Sequence, residues 1–339
     1  MQQLSYRGRG ALRVEQVGAA ALEPGQVRVR VHSTGLCMSD IYGYSGVNDR
    51  RDAVLGEGET LVMGHEIAGH VQERGDAGPA VGTPVAINPI FGCGACERCA
   101  RGDENLCARR TVVGCAPGAP GGYAESVVVP ARAVHPLPDG TPLEWGALVE
   151  PLTVGFHGVR LADLAPEDSV LVIGGGIIGL GAALAARRRV GDRVLVLEPV
   201  PARRALAQRL GLFAVAPERV LGGERRFDVV LDCVARPETF AGAVAALPPQ
   251  GLVVLVGIWA DEIPLPVSAV VGAEIRIMGS YGYDHDDFAD VVAWVGRGEV
   301  DLDPIVEHRV GFDGVIEAFG AYADGSLRAV RTLFQPTKE

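Results

Sequence analysis

Two rhythms of apolar and polar positions divide this chain. From Val170 onward, apolar residues come in short unbroken runs: Val170–Ile173, Val194–Leu197, Phe227–Asp232, Leu252–Gly257 and Glu274–Gly279. Runs of this length, rich in Val, Leu and Ile, read as buried strands. A helical stretch follows Gly179 and continues to Arg189, and further helical segments separate the later runs. Strand alternating with helix predicts a doubly wound parallel sheet, an α/β domain over about 151–289. The first 150 residues behave differently. Short alternating stretches (Val27–Val31, Ile67–Val71, Val85–Pro89, Tyr123–Val129), separated by Gly and Pro, predict a β-rich domain over 1–150.

The first buried run feeds directly into Gly174-Gly-Gly176-Ile177-Ile178-Gly179, and the second ends in Glu198, nineteen residues beyond Gly179. Strand, glycine turn, helix, strand and acid form the context in which a G-x-G-x-x-G pattern binds a dinucleotide. Gly174 permits the turn, Gly176 lets the backbone approach a pyrophosphate, and Gly179 allows close helix–strand packing. Ile177 and Ile178 open the helix whose free N–H groups face the phosphates. Glu198 would bind the adenosine ribose hydroxyls and repel a 2′-phosphate, favouring NAD. Arg203 and Arg204 follow closely, and an arginine at this point can instead serve NADP.

Within the β-rich part, Cys93, Cys96, Cys99 and Cys107 stand at C-x2-C-x2-C-x7-C spacing. Four thiolates so arranged predict a closed tetrahedral zinc site, structural because no coordination position stays open. Disulfides are the rival reading, but bonds between cysteines this close in sequence are sterically awkward.

Composition prunes the chemistry. The 339 residues suggest about two domains, and 48 % apolar content with 46 glycines is that of an ordinary globular protein. A net charge of −11 without a basic stripe argues against nucleic acid as a partner. Met1 to Gln16 lacks the apolar centre of a signal peptide and no run approaches a membrane span, so a cytoplasmic protein with reduced thiols and no membrane partner is expected. Lys338 is the only lysine. Chemistries built on a Schiff-base, P-loop or Tyr-Lys lysine are thereby excluded from the body of the protein.

A metal supplies another electrophile. Cys37-Met-Ser39-Asp40, Gly64-His65-Glu66 and Glu150-Pro151 contain the residue types of a catalytic zinc site, which takes three protein ligands and leaves a fourth position open. Taken singly, Cys37 also reads as a small buried apolar side chain, His65 as a core histidine and the glutamates as surface charges.

Together with the cysteine cage, Asn105-Leu-Cys107, Gly121-Gly-Tyr-Ala-Glu125, Glu150-Pro-Leu152, the glycine turn and Glu317-Ala-Phe, these fragments resemble the zinc-containing medium-chain dehydrogenases nearly end to end. Glutamate at 150 is similar to the sorbitol and threonine dehydrogenase branch. The resemblance implies a GroES-like catalytic domain, completed by residues 290–339, and a Rossmann domain. It implies two zinc ions per chain, a catalytic one on Cys37, His65 and Glu150 with Glu66 as a direct or exchangeable ligand, and a structural one on the cage. Ser39 matches the relay hydroxyl, and Asp40 would orient His65. Where the family commonly places a relay histidine, this chain has Tyr42. Met38 replaces the usual glycine or arginine. The implied reaction is hydride transfer between NAD and a secondary alcohol or ketone, with zinc as Lewis acid. A polyol, cyclitol or sugar-derived substrate is expected, and Tyr44, Asn48, Asp49 and Arg50 border the expected pocket mouth. An amino-alcohol or threonine-type dehydrogenase and a non-catalytic nucleotide-binding relative are the rivals. The resemblance also implies a homodimer or homotetramer, joined through the strand Glu274–Gly279.

Overall fold

The computed structural model describes residues 1–48, 51–220, 226–258 and 262–337. Asp49, Arg50 and Lys338 lie outside the described residues. The chain forms two units, Met1–Glu150 with Asp284–Glu339, and Pro151–Tyr283.

The first unit opens with β1 (Gln2–Tyr6), β2 (Leu12–Gln16), β3 (Gln26–Gly35), α1 (Met38–Ser45), β4 (Leu61–Val62), β5 (Ile67–Arg74) and β6 (Pro84–Ile87). It continues through β7 (Ile90–Phe91), the one-turn α2 (Glu97–Ala100), β8 (Thr111–Val112), β9 (Ser126–Pro130) and β10 (Val134–Pro136) to α3 (Leu143–Ala162). The principal sheet is built on β3, which pairs antiparallel with both β5 and β9. Val27, Val29 and Val31 on β3 share a core with Ile67, Val71, Val127 and Val129, as period-two burial requires.

The predicted strand at Tyr123–Val129 starts later than expected, at Ser126. Tyr123 is held by other contacts: its N–H donates to the Met63 carbonyl, and its ring meets Phe319 and Phe334 edge-on. Two glycines, Gly121 and Gly122, lead into it and leave no regular ladder to join.

Helix α3 carries Glu150 and Pro151 in its interior, and the boundary between the units falls between them. Proline at 151 has no N–H to offer the Ala147 carbonyl, so the helix lacks one rung there.

The second unit contains β11 (Val170–Ile173), α4 (Ile177–Val190), β12 (Val194–Leu197), α5 (Pro201–Arg209), β13 (Phe213–Val215) and β14 (Val229–Asp232). It ends with α6 (Pro237–Ala245), β15 (Leu252–Leu255), α7 (Val267–Gly272) and β16 (Arg276–Gly279). All six strands run parallel in the order β13-β12-β11-β14-β15-β16. The order reverses between β11 and β14, and ligands of such sheets bind at the carboxyl ends on either side of that point. Residues of β11, β12 and β14 are buried throughout, which is why their sequences read as unbroken apolar runs. β16 is exposed along its whole length.

The return to the first unit begins at Asp284, earlier than the 290 expected, with α8 (His285–Gly296). The His285 and Phe288 rings pack on His135, each 4.8 Å away, so this helix belongs to the β-rich unit. Then β17 (Val306–Val310), α9 (Val315–Ala323) and β18 (Arg331–Phe334) follow, and β18 inserts between β17 and β3. Among the described residues no helix is long and apolar enough to cross a membrane.

Candidate metal centres and dinucleotide turn

The glycine turn connects β11 to α4 at the reversal of strand order. Gly174 has φ +104°, open to glycine at little cost, and a Cβ on Gly179 would lie 1.9 Å from the Gly174 carbonyl oxygen. Gly176 differs: a Cβ there would meet nothing within 4 Å, so this side of the turn is free for a phosphate. Gly176 is also the N-cap of α4 and supplies no side-chain cap, leaving the first N–H groups, those of Ile177 and Ile178 among them, for an anion.

Glu198 is almost fully buried at the end of β12. Its Oε2 accepts from Gly175 N at 2.7 Å and its Oε1 from Val200 N at 2.8 Å. A carboxylate has about four acceptor sites, so two remain for ribose hydroxyls. Arg203 sits half-buried on α5. The arginine locked to the strand end is instead Arg204, which donates to the carbonyls of Glu198 (2.8 Å) and Pro199 (2.7 Å). Across the switch point, Asp232 accepts from Val234 N at 3.0 Å, Ala235 N at 2.8 Å and Thr239 Oγ1 at 2.9 Å, fixing the carboxyl end of β14.

The four cysteines converge. Sulfur separations are 4.0 Å for Cys93–Cys99, 3.5 Å for Cys96–Cys99 and 3.6 Å for Cys96–Cys107. A tetrahedron of sulfurs about 2.3 Å from a central zinc has edges of about 3.8 Å, whereas a disulfide needs about 2.05 Å. The arrangement fits zinc and excludes cystine. Arg109 contributes Nη2 to Cys93 Sγ at 3.2 Å and its backbone N–H to Cys107 Sγ at 3.3 Å, offsetting the negative charge of four thiolates. A backbone N–H at Ala95 draws the Cys93 pKa down to about 6 and one at Cys99 lowers that of Cys96, while burial pushes that of Cys99 up to about 11.

A second donor set forms near α1. Ligand atoms of Cys37, His65 and Glu66 all lie within 4.8 Å of one another. Cys37 is the residue before α1, and His65-Glu66 lead into β5. Glu66 is fully buried, and neither carboxylate oxygen has a hydrogen bond among the described residues. Its Oε2 has an ion-pair contact of 2.9 Å to Arg331 Nη1, which itself donates to the Leu36 carbonyl at 2.7 Å. Burial raises the Glu66 pKa, and Arg331 opposes it. A buried carboxylate with acceptor capacity to spare, beside a thiol and an imidazole, is a site for a cation. Burial would depress the His65 pKa, but Asp40 and then Cys37 lift it well above the ordinary value, so this pocket attracts positive charge. These donors fit zinc, which takes sulfur, nitrogen and oxygen ligands alike.

Around this set, Asp40 places Oδ2 3.6 Å from His65 Nδ1, within ion-pair reach but longer than a hydrogen bond. Asp40 Oδ2 also accepts from Tyr123 OH at 3.1 Å. Ser39 is exposed and donates to Cys37 Sγ at 3.3 Å. Tyr42 is half-buried on α1. Glu150 is buried on α3 but does not belong to the donor group gathered within 4.8 Å. Two arginines escaped sequence reasoning: Arg331, paired with Glu66, and Arg51, whose Nη2 lies 2.8 Å from Asp40 Oδ1. No motif marks either arginine, although Arg51 lies only eleven residues from Asp40.

Comparison with known proteins identifies the family. The chain matches the alcohol dehydrogenase GroES-like domain over residues 23–139 and the zinc-binding dehydrogenase domain over residues 178–297. It is 32 % identical to a sorbitol dehydrogenase of Arabidopsis thaliana, across 96 % of this chain and 93 % of that one. It is 31 % identical to an L-idonate 5-dehydrogenase of Vitis vinifera, across 96 % and 92 %. Among solved structures, the 2R,3R-butanediol dehydrogenase of Bacillus subtilis superimposes with a TM-score of 0.86 over 99 % of both chains at 28 % identity. With its two thiol-bearing donor sets and its glycine turn, the chain belongs to the zinc-containing medium-chain dehydrogenases, in their polyol dehydrogenase branch.

Proposed function

We propose that this enzyme interconverts a secondary alcohol and its ketone on a polyol, cyclitol or sugar-acid skeleton, using NAD in preference to NADP. The observation that carries the reading is the meeting of Cys37, His65 and buried Glu66 next to the exposed hydroxyl of Ser39. A zinc ion bound there would supply a Lewis acid for a substrate oxygen. Cys37, His65 and Glu66 would hold it, with Glu150, buried on α3, as a further carboxylate. Ser39 Oγ takes the substrate proton toward water. Asp40, with Oδ2 3.6 Å from His65 Nδ1, would orient the imidazole by charge rather than through a hydrogen bond. Tyr42 replaces a relay histidine, and a phenol with an ordinary pKa of about 10 is a weak shuttle near neutral pH, so Ser39 and solvent carry the proton. Glu198 supports NAD because its spare acceptor sites suit hydroxyls and its charge repels a 2′-phosphate. The hydroxylated substrates named for the sorbitol and L-idonate relatives support the substrate class.

The same reading takes the protein as a cytoplasmic homodimer or homotetramer. Edge strand β16 is exposed along its length, with apolar Ile277 and Met278 on it and Val271 69 % exposed just before it. An unpaired apolar edge of this kind is a surface for pairing with a second copy.

The test is nicotinamide reduction across polyols, cyclitols, sugar acids, amino alcohols and simple alkanols, with NAD⁺ and NADP⁺ in parallel and a chelator-treated control. Chelator-sensitive turnover on polyols or sugar acids, lost by about 100-fold or more in H65A, is the expected result. Turnover confined to amino alcohols would move the reading to a threonine-type enzyme, and none at all with both zincs present would overturn it.

A further inference from the structure

Among the described residues, Arg51 is a strongly buried cation that touches Asp40 without itself facing a ligand atom. It is 8 % exposed, in the turn before a short 3-10 helix (Asp52–Val54). Its Nη2 donates to Asp40 Oδ1 at 2.8 Å and lies 3.5 Å from Ser39 Oγ, and its Nη1 reaches the Cys115 carbonyl at 3.4 Å. Three elements therefore meet at one guanidinium: helix α1, the loop after it and the loop after β8. The stem is seated against α1, where a Cβ on Gly43 would lie 2.4 Å from Arg51 Cγ. Gly43 sits inside a helix, where glycine is less favourable than alanine. Here that cost makes room for the arginine.

Fully buried Asp40 has two oxygens with different duties. Oδ1 faces Arg51, while Oδ2 faces Tyr123 OH and His65 Nδ1. A free carboxylate can rotate and exchange its oxygens; one pinned by a guanidinium cannot do so without breaking a charge-assisted bond. Charge follows the same logic. With Cys37 as thiolate, the cluster carries three negative groups (Cys37, Asp40, Glu66) and two guanidiniums (Arg51, Arg331). Removing Arg51 leaves the Oδ1 of buried Asp40 without its guanidinium and frees the carboxylate to turn away from His65.

We propose that Arg51 is a positioning residue of the catalytic metal centre: it locks Asp40 so that Oδ2 stays on His65 Nδ1, and so sets how tightly the centre retains zinc. This rests on the reading of Cys37, His65 and Glu66 as zinc ligands. The experiment uses the purified full chain, its zinc content measured against a graded competing chelator, and the cobalt-substituted protein followed by its visible ligand-field bands. The parent should hold two metals per chain. R51M should release one of them about 10–100-fold more readily, the range typical of lost outer partners of a metal ligand, with displaced cobalt bands. R51K should recover part of the loss. G43A keeps the arginine but displaces its stem, and should reproduce the R51M phenotype while favouring the helix. It also carries the test should R51M fold poorly. Combining R51M with D40N should add little to D40N alone, because both act through one carboxylate. R51M or G43A with parental zinc retention and unchanged cobalt bands overturns the proposal and leaves the ligand assignment intact. A parent that binds only the cage metal overturns the ligand assignment and the proposal with it.

Discussion

His135 shows how one side chain ties stability to pH. It is half-buried, its Nε2 has no hydrogen-bond partner among the described residues, and the His285 and Phe288 rings lie 4.8 Å away. Burial, and then the neighbouring His285, push its pKa down from 6.5 to about 4. The unfolded chain therefore takes up this proton near pH 6.5 and the folded one only near 4. Stability that is full above pH 6.5 falls as the pH drops toward 4, because the unfolded state binds more protons in that window. After a discount for partial exposure the loss is about 2 kcal/mol. Urea unfolding of H135F and the parent at pH 6.5 and 4.5 should show a shallower decline for the variant; parallel declines would reject the assignment. At this scale, legibility from sequence depended on a repeated spacing of one residue type rather than on separation along the chain. The cage could be read because its four thiols recur at C-x2-C-x2-C-x7-C spacing, Cys93 to Cys107. The Asp40–Arg51 pair and the contact of Glu66 with Arg331 could not, since nothing local marks an arginine that will be buried.

Elements that are apolar on both faces were legible almost to the residue. Val170–Ile173 and Val194–Leu197 are strands with those same limits, because burial on both sides leaves no position for a polar side chain. The β-rich unit was read less sharply. Its strands end where glycines and loop contacts dictate, as at Tyr123, and periodicity does not report those. Two predictions belong here. In the strand–turn–helix of β11, α4 and β12, E198Q keeps the shape of Glu198 but loses its charge and one acceptor, so the preference for NAD⁺ over NADP⁺ should fall about tenfold or more and the melting temperature should drop. An unchanged cofactor ratio would reassign selectivity to Arg203 and Arg204. In the lobe between β7 and β8, C96S should bind one zinc instead of two and melt about 10 °C lower, as befits the loss of a few kcal/mol. Metal analysis with calorimetry would decide it, and a variant still holding two zincs would refute the cage.

For the whole molecule, the exposed β16 edge bears on assembly. M278K places a charge on this exposed edge; on the proposed assembly, sedimentation should then report a smaller species than the parent, and an unmoved sedimentation coefficient would place any subunit contact elsewhere. The discontinuity of the first unit has a different consequence, one of timing. Its strand β3 is completed by β18, and Glu66 meets Arg331 some 265 residues later, after all of Pro151–Tyr283 has been made. At roughly 5–20 residues per second a ribosome needs about 15–50 s to cover that interval. Throughout it the nascent chain holds an open sheet edge and a carboxylate without its counter-charge, while the four-cysteine lobe, closed within fifteen residues, is already competent to bind its ion. Cellular zinc supply and whatever shields an unfinished edge at the ribosome would then govern the yield of this protein more than the stability of its finished form.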